Sequence, residues 1–176
     1  MINILSNHET NEILSKLNVQ FGIQEIPGKL IKIGKEKIFL FQGDFSDEQI
    51  KNLEKIAFIE RIGIYIGAIF LPTNEIRLSI EGTQIFKNQI TKNIFEINNE
   101  RFRGGENLIT NNRARSGAEQ LNNWMQGEEL NIKTNLKGII IIKHKNNYLG
   151  CGKASENKIG NFIPKSRRLK SKNIIA

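Results

Sequence analysis

The stretch KGIIIIKHKNNYLGCGKAS, Lys137 to Ser155, constrains the fold more than any other part of the chain. Ile139 to Ile142 is an uninterrupted apolar run, too short for a helix of its own. An extended strand turns successive side chains to opposite faces, so four apolar residues in a row call for cover on both faces. The apolar character returns at Tyr148 to Cys151, with Asn146-Asn147 between, which predicts two strands around an Asn146-Asn147 turn. The other long apolar stretch, Ile62 to Leu71, is broken by Gly63 and Gly67 and reads as a buried strand. Neither approaches the ~18 residues that a membrane span needs.

The remaining elements follow from periodicity and punctuation. His8 to Val19 carries Ile13, Leu14 and Leu17 at helical spacing, a short amphipathic helix. Leu30 to Gly34 and Lys37 to Gly43 are β-like runs joined through Lys35-Glu36, a hairpin. Ser46 and Gln49 form an S-x-x-Q capping box ahead of a helix whose apolar face is Ile50, Leu53, Ile56 and Ala57. Ser79 to Phe86 fits either strand or helix. Asn93 to Asn98 alternates as a strand does. Asn99 to Ser116, with Arg101, Arg103, Arg113 and Arg115, has no period and reads as a mobile loop. Ser116 and Glu119 form a second capping box, before a helix with the stripe Ala118, Leu121, Trp124 and Met125 that stops at Gly127. These elements make an α+β chain of two small domains, with 39% hydrophobic residues to fill their cores.

Charge is segregated along the chain. Lys137 to Ala176 holds ten Lys or Arg against one acid, Glu156, a net of +9, whereas Met1 to Leu136 holds sixteen basic and seventeen acidic residues. A one-sided excess of this kind points to a polyanionic partner. Contact with about five phosphates would give a log–log salt slope of roughly −3.5 to −4.5. Residues 1–100 hold eleven basic and thirteen acidic side chains, which suits them to protein contact.

Chemistry-bearing patterns are sparse. No phosphate-binding glycine loop follows a strand, and a single cysteine, Cys151, excludes an internal disulfide and a thiolate metal cluster. His8 and His144 have no companions at ligand spacing. His144 reads as a strand histidine, Cys151 as a small core side chain, Trp124 as core, and Glu128-Glu129 as a solvated helix end. Tyr148 and Phe162, lying among the cations, are candidates for stacking on bases. These features imply no enzyme, no metal and no cofactor. The N-terminus has no basic segment ahead of an apolar one, so no signal peptide is expected and the reading is cytoplasmic.

The helix AEQLNNWMQGEEL (Ala118 to Leu130), the strand Leu149-Gly150-Cys151-Gly152-Lys153 and the basic element Lys158 to Arg168, with Asn161, Pro164 and Lys165, together resemble a PUA-like RNA-binding domain. The resemblance is to the C-terminal PUA-like region of Sun/Nop-type rRNA cytosine-5 methyltransferases. RIGIYIGAIF, with Arg61, Gly63 and Gly67, resembles the segment before that domain. The family's methyltransferase domain, with its paired catalytic cysteines, has no counterpart in 176 residues with one cysteine. The layout also resembles that of small ribosome-biogenesis factors with a pre-PUA domain.

The resemblance implies an N-terminal α/β domain over residues 1–88, a PUA-like β-barrel over 92–170 and a tail over 171–176. It implies a non-catalytic protein that binds structured rRNA or tRNA in ribosome biogenesis or RNA modification. The alternative is an RNA-recruiting accessory subunit of a separate modifying enzyme, held through the N-terminal domain. The RNA-binding residues that the resemblance implies are Lys143, Lys145, Gly150, Lys153, Lys165, Arg167 and Arg168, to which the charge pattern adds Lys158 and Lys170, with Arg113 and Arg115 from the loop. Gly150 would let a phosphate backbone approach closely, and a turn at Asn146-Asn147 would bring Lys143, Lys145 and Lys153 together.

Overall fold

A computed structural model of the chain describes residues 2–97 and 117–170. It is mixed α+β and divides into two compact units, Met1–Lys92 and Asn93–Ala176. The arginine-rich segment, with Arg113, Arg115 and the Ser116 cap, lies outside the described residues, as does the tail beyond Lys170.

In the first unit the elements run β1 (Ile2–Ile4), α1 (Asn7–Phe21), β2 (Lys29–Ile33), β3 (Lys37–Phe41), α2 (Asp47–Ile56), β4 (Ile64–Phe70), β5 (Glu75–Leu78) and α3 (Ile80–Ile85). The five strands form one antiparallel sheet in sequence order. Pairing puts Ile31 opposite Ile4 and Phe39, so the residues of this face alternate along each strand. Ile50 of α2 is buried on that face, with Ile2, Ile33, Phe41 and Tyr65 around it. Gln20 of α1 reaches β5, where its amide donates to the Ile76 carbonyl (3.3 Å) and accepts from the Ile76 N–H (2.8 Å). One side chain thus satisfies backbone groups on an edge strand.

Local chemistry accounts for the helix starts. Ser6 and Glu9 form a reciprocal capping box on α1, as do Ser46 and Gln49 on α2. Hydrogen bonds from the Ser6 N–H and hydroxyl hold the Glu9 carboxyl below its ordinary range. The segment left open between strand and helix is helical, because the Ser79 hydroxyl accepts from the Gly82 N–H and caps a single turn and a half. Expectation and structure part at the end of α2. Ile56 is 81% exposed and Ala57 is extended, so the apolar face stops short of both.

The second unit contains β6 (Ile94–Glu96), α4 (Gly117–Gln126), β7 (Gly138–His144), β8 (Asn147–Ala154), β9 (Ile159–Asn161) and a 3-10 turn at Lys165–Arg167. The sheet order is β6-β7-β8-β9, and Leu130 adds an antiparallel bridge to Ile159. β6 runs parallel to β7, and the others are antiparallel. Ile139 to Ile142 is buried at every position, as a strand covered on both faces requires. Trp124 is fully buried, and its indole N–H donates to the Leu149 carbonyl at 3.3 Å. The stripe on α4 is narrower than expected, since Ala118 is exposed. His144 pairs with Asn147, so the hairpin turns on Lys145-Asn146, one residue earlier than predicted. Lys145 takes φ 53 there.

Candidate nucleic-acid interface

The described cations of the second unit fall into two groups. The first is the tip of the β7-β8 hairpin. Lys143 pairs across the strands with Tyr148, lies 5.8 Å from the centroid of its ring, and reaches Glu96 on β6 at 3.9 Å. Lys145 is exposed on the turn. Tyr148 itself is only 9% exposed. This corrects its reading as a stacking residue, because a base needs an open ring face and Lys143 and the core take it. Phe162 is half-buried.

Lys153 does not join this tip. Ile139 is its partner on β7, while the partner of Lys143 is Tyr148. Lys143 and Lys153 therefore stand on one face at opposite ends of the hairpin, about 13 Å apart along the strand at ~3.3 Å per residue. The expected trio of Lys143, Lys145 and Lys153 does not form. Gly150 explains part of the register. The pairing shifts between Ile141 and Lys143, and Gly150 supplies the left-handed φ of 84° for the bulge. It is buried, so its absence of a side chain serves the bulge and not an approaching backbone.

The second group surrounds the C-terminal end of α4. Asn161 donates to the carbonyls of Trp124 (2.8 Å) and Glu128 (3.0 Å), and its own oxygen accepts from the Ile163 N–H (2.7 Å). The Leu169 N–H donates to the Met125 carbonyl at 2.9 Å. Arg168 lies against Gly127, where φ is +89° and any Cβ would strike its guanidinium, and its Nε donates to the Ile163 carbonyl at 3.0 Å. These bonds close the helix end and hold Lys165 to Lys170 as a folded segment. Lys165, Arg167 and Lys170 are exposed on it, and Arg168 is half-buried. Cations at this end also complement the negative pole of the helix. Arg168 is thus a structural residue as well as a charge.

Glu129 is not merely solvated. Its carboxylate holds Lys158 Nζ at 2.7 Å. His144 is a buried histidine whose Nδ1 lies 2.8 Å from the Ile97 carbonyl, a bond to backbone that needs no catalytic role. Cys151 is a buried thiol. Among the described residues no three His, Cys, Asp or Glu side chains are grouped to hold a metal ion, and no helix is long and apolar enough to cross a membrane.

Residues 111–169 match the family model of the methyltransferase RsmF PUA domain. The chain carries a PUA-like domain. The match takes in α4, β7, β8, β9 and the folded basic segment, which are the elements that hold both groups of cations. β6 precedes the matched residues yet extends the same sheet through its pairing with β7. No curated protein matches the chain. A PUA-like domain suggests RNA binding. What sequence reasoning missed were Asn161 and Glu129 as participants. In the sequence Asn161 carries only the resemblance, and its bonds to the Trp124 and Glu128 carbonyls join residues more than thirty positions apart.

Proposed function

We propose that the chain binds structured RNA, rRNA or tRNA, in ribosome biogenesis or RNA modification, as a non-catalytic cytoplasmic protein. The observation that carries this reading is the PUA-family match over the very segment that holds the exposed cations. Phosphate contacts from Lys145, Lys153, Lys165, Arg167 and Lys170 position the RNA. Arg113 and Arg115 are assigned further phosphate contacts on their charge alone. In this reading residues 1–88 are a pre-PUA domain, residues 92–170 close into a PUA-like barrel, and 171–176 are a tail. A second reading is supported by the methyltransferase for which the matching family is described. In it, the chain recruits RNA to a separate modifying enzyme through its N-terminal domain.

The test is association of the purified chain with tRNA and rRNA across a salt series, with equal-length single strands as competitors. Folded RNA outcompetes single strands, and the double variant K165E/K170E binds about tenfold or more weakly, with the salt slope reduced by roughly 0.7–0.9 per lost contact. Unchanged affinity in that variant would sink the assignment of the basic segment. Copurification of a modifying enzyme with the chain would favour the second reading.

A further inference from the structure

Gly160 stands apart from the other strand glycines of the second unit. Gly138 and Gly150 adopt left-handed φ, at 76° and 84°. At Gly152 a Cβ would lie 2.6 Å from Ile159 Cγ2 and 2.9 Å from Trp124 Cη2. Gly160 is under neither demand. It lies mid-strand in an unbroken register, between the Gly152–Asn161 and Ala154–Ile159 pairs. A Cβ there would meet only Glu129 Oε1 at 3.7 Å and the Lys153 carbonyl at 3.8 Å, ordinary contacts. A glycine in a strand interior weakens it, and without a bulge or a bend the remaining reason is close approach from outside.

The surroundings of Gly160 say what could approach. Lys153 is its partner on β8. On the other side the Leu130–Ile159 bridge, made by N–H to carbonyl bonds of 3.0 and 2.8 Å in both directions, sets Glu129 beside it. Lys153, Gly160 and Glu129 therefore form a row across one face of the sheet. Lys158 closes the fourth side, with its Nζ 2.7 Å from Glu129 Oε2. Lys158 and Glu129 are 52% and 49% exposed, and an ion pair between groups so wetted exchanges readily. The carboxylate oxygens occupy positions on Lys158 that phosphate oxygens fill equally well.

We infer that this row is a phosphate subsite, in which a phosphodiester seats over Gly160 between Lys153 and Lys158 and displaces the Glu129 carboxylate. The inference rests on the RNA-binding reading above and adds a place and a selectivity to it. Glu129 is the internal competitor: an RNA whose shape delivers a phosphate to Gly160 displaces it, and a loosely held polyanion does not.

Binding of bulk tRNA by the full chain tests this, with circular dichroism and thermal melting to confirm the fold. Val suits a strand, so Gly160→Val is expected to fold and melt no lower than the wild type while its side chain covers the row. Its affinity falls about tenfold through the lost phosphate contact. Glu129→Gln binds about threefold more tightly, because no carboxylate then has to leave Lys158. In a Lys158→Gln background that gain disappears. Should the valine variant not fold, Gly160→Ala, which meets only the contacts above, shows the same loss to a smaller degree. A folded Gly160 variant with unchanged affinity overturns the subsite, as does a Glu129→Gln gain that survives Lys158→Gln. Wild-type chain that binds no tRNA or rRNA overturns the RNA-binding reading itself.

Discussion

The Asn161 side chain donates to two carbonyls at the end of α4 and accepts from the Ile163 N–H. These bonds tie the strand to a helix end whose last carbonyls have few intrahelical donors, where the Trp124 carbonyl also accepts from the Gly127 N–H at 3.0 Å. Asn161→Ala should destabilise the second unit by about 1–3 kcal/mol, the usual cost of polar groups left unsatisfied. Trp124 is the only tryptophan of the chain and is fully buried there, so its fluorescence in a urea titration reads this unit. An unchanged midpoint would mean that water satisfies the helix end as well as Asn161 does. Arg168 has a similar double character. Its charge was legible in the sequence, but its packing against Gly127 and its bond to Ile163 were not. Charge reversal at Arg168 would disturb the fold as well as RNA contact, which is why Lys165 and Lys170 make the cleaner test.

The β7-β8 hairpin shows how an element sets which side chains share a surface. One extra residue at the Gly150 bulge fixes which residues face Lys143 and His144. A one-residue slip would exchange the two faces of a strand. Gly150→Ala must place a Cβ at φ +84°, a conformation that costs about 1–2 kcal/mol for an L-residue. The Trp124 indole bonds to Leu149, the residue beside the bulge, so the same fluorescence transition reports the loss. A variant as stable as the wild type would show that the bulge can relocate. The apolar run of β7 was readable because four isoleucines have no alternation to interpret. The turn was displaced by one residue because Lys145 accepts left-handed φ, which its residue type does not advertise.

At the scale of the molecule, charge follows the division into units. Met1–Lys92 contains eleven basic and eleven acidic side chains, and Asn93–Ala176 contains fifteen and seven, so the whole +8 belongs to the second unit. If RNA binding resides there, residues 93–176 produced alone should bind tRNA with the salt slope of the full chain, and residues 1–92 should show no salt-dependent binding. Binding that requires both pieces would move part of the interface to the first unit.

The sequence by itself determined the α+β class, the order of most elements, the Ser46–Gln49 capping box, the double-sided cover of β7, the segregated charge and the PUA resemblance. These are written in local spacing and composition, which short-range sterics and hydrogen bonding enforce directly. Only the tertiary structure decided which cations stand together. Strand register separates Lys143 from Lys153, the Leu130–Ile159 bridge carries Glu129 to Lys158, and Asn161 ties the basic segment to α4. Each of these depends on residues distant in sequence meeting through backbone pairing, and a pairing register is fixed by the packed sheet as a whole.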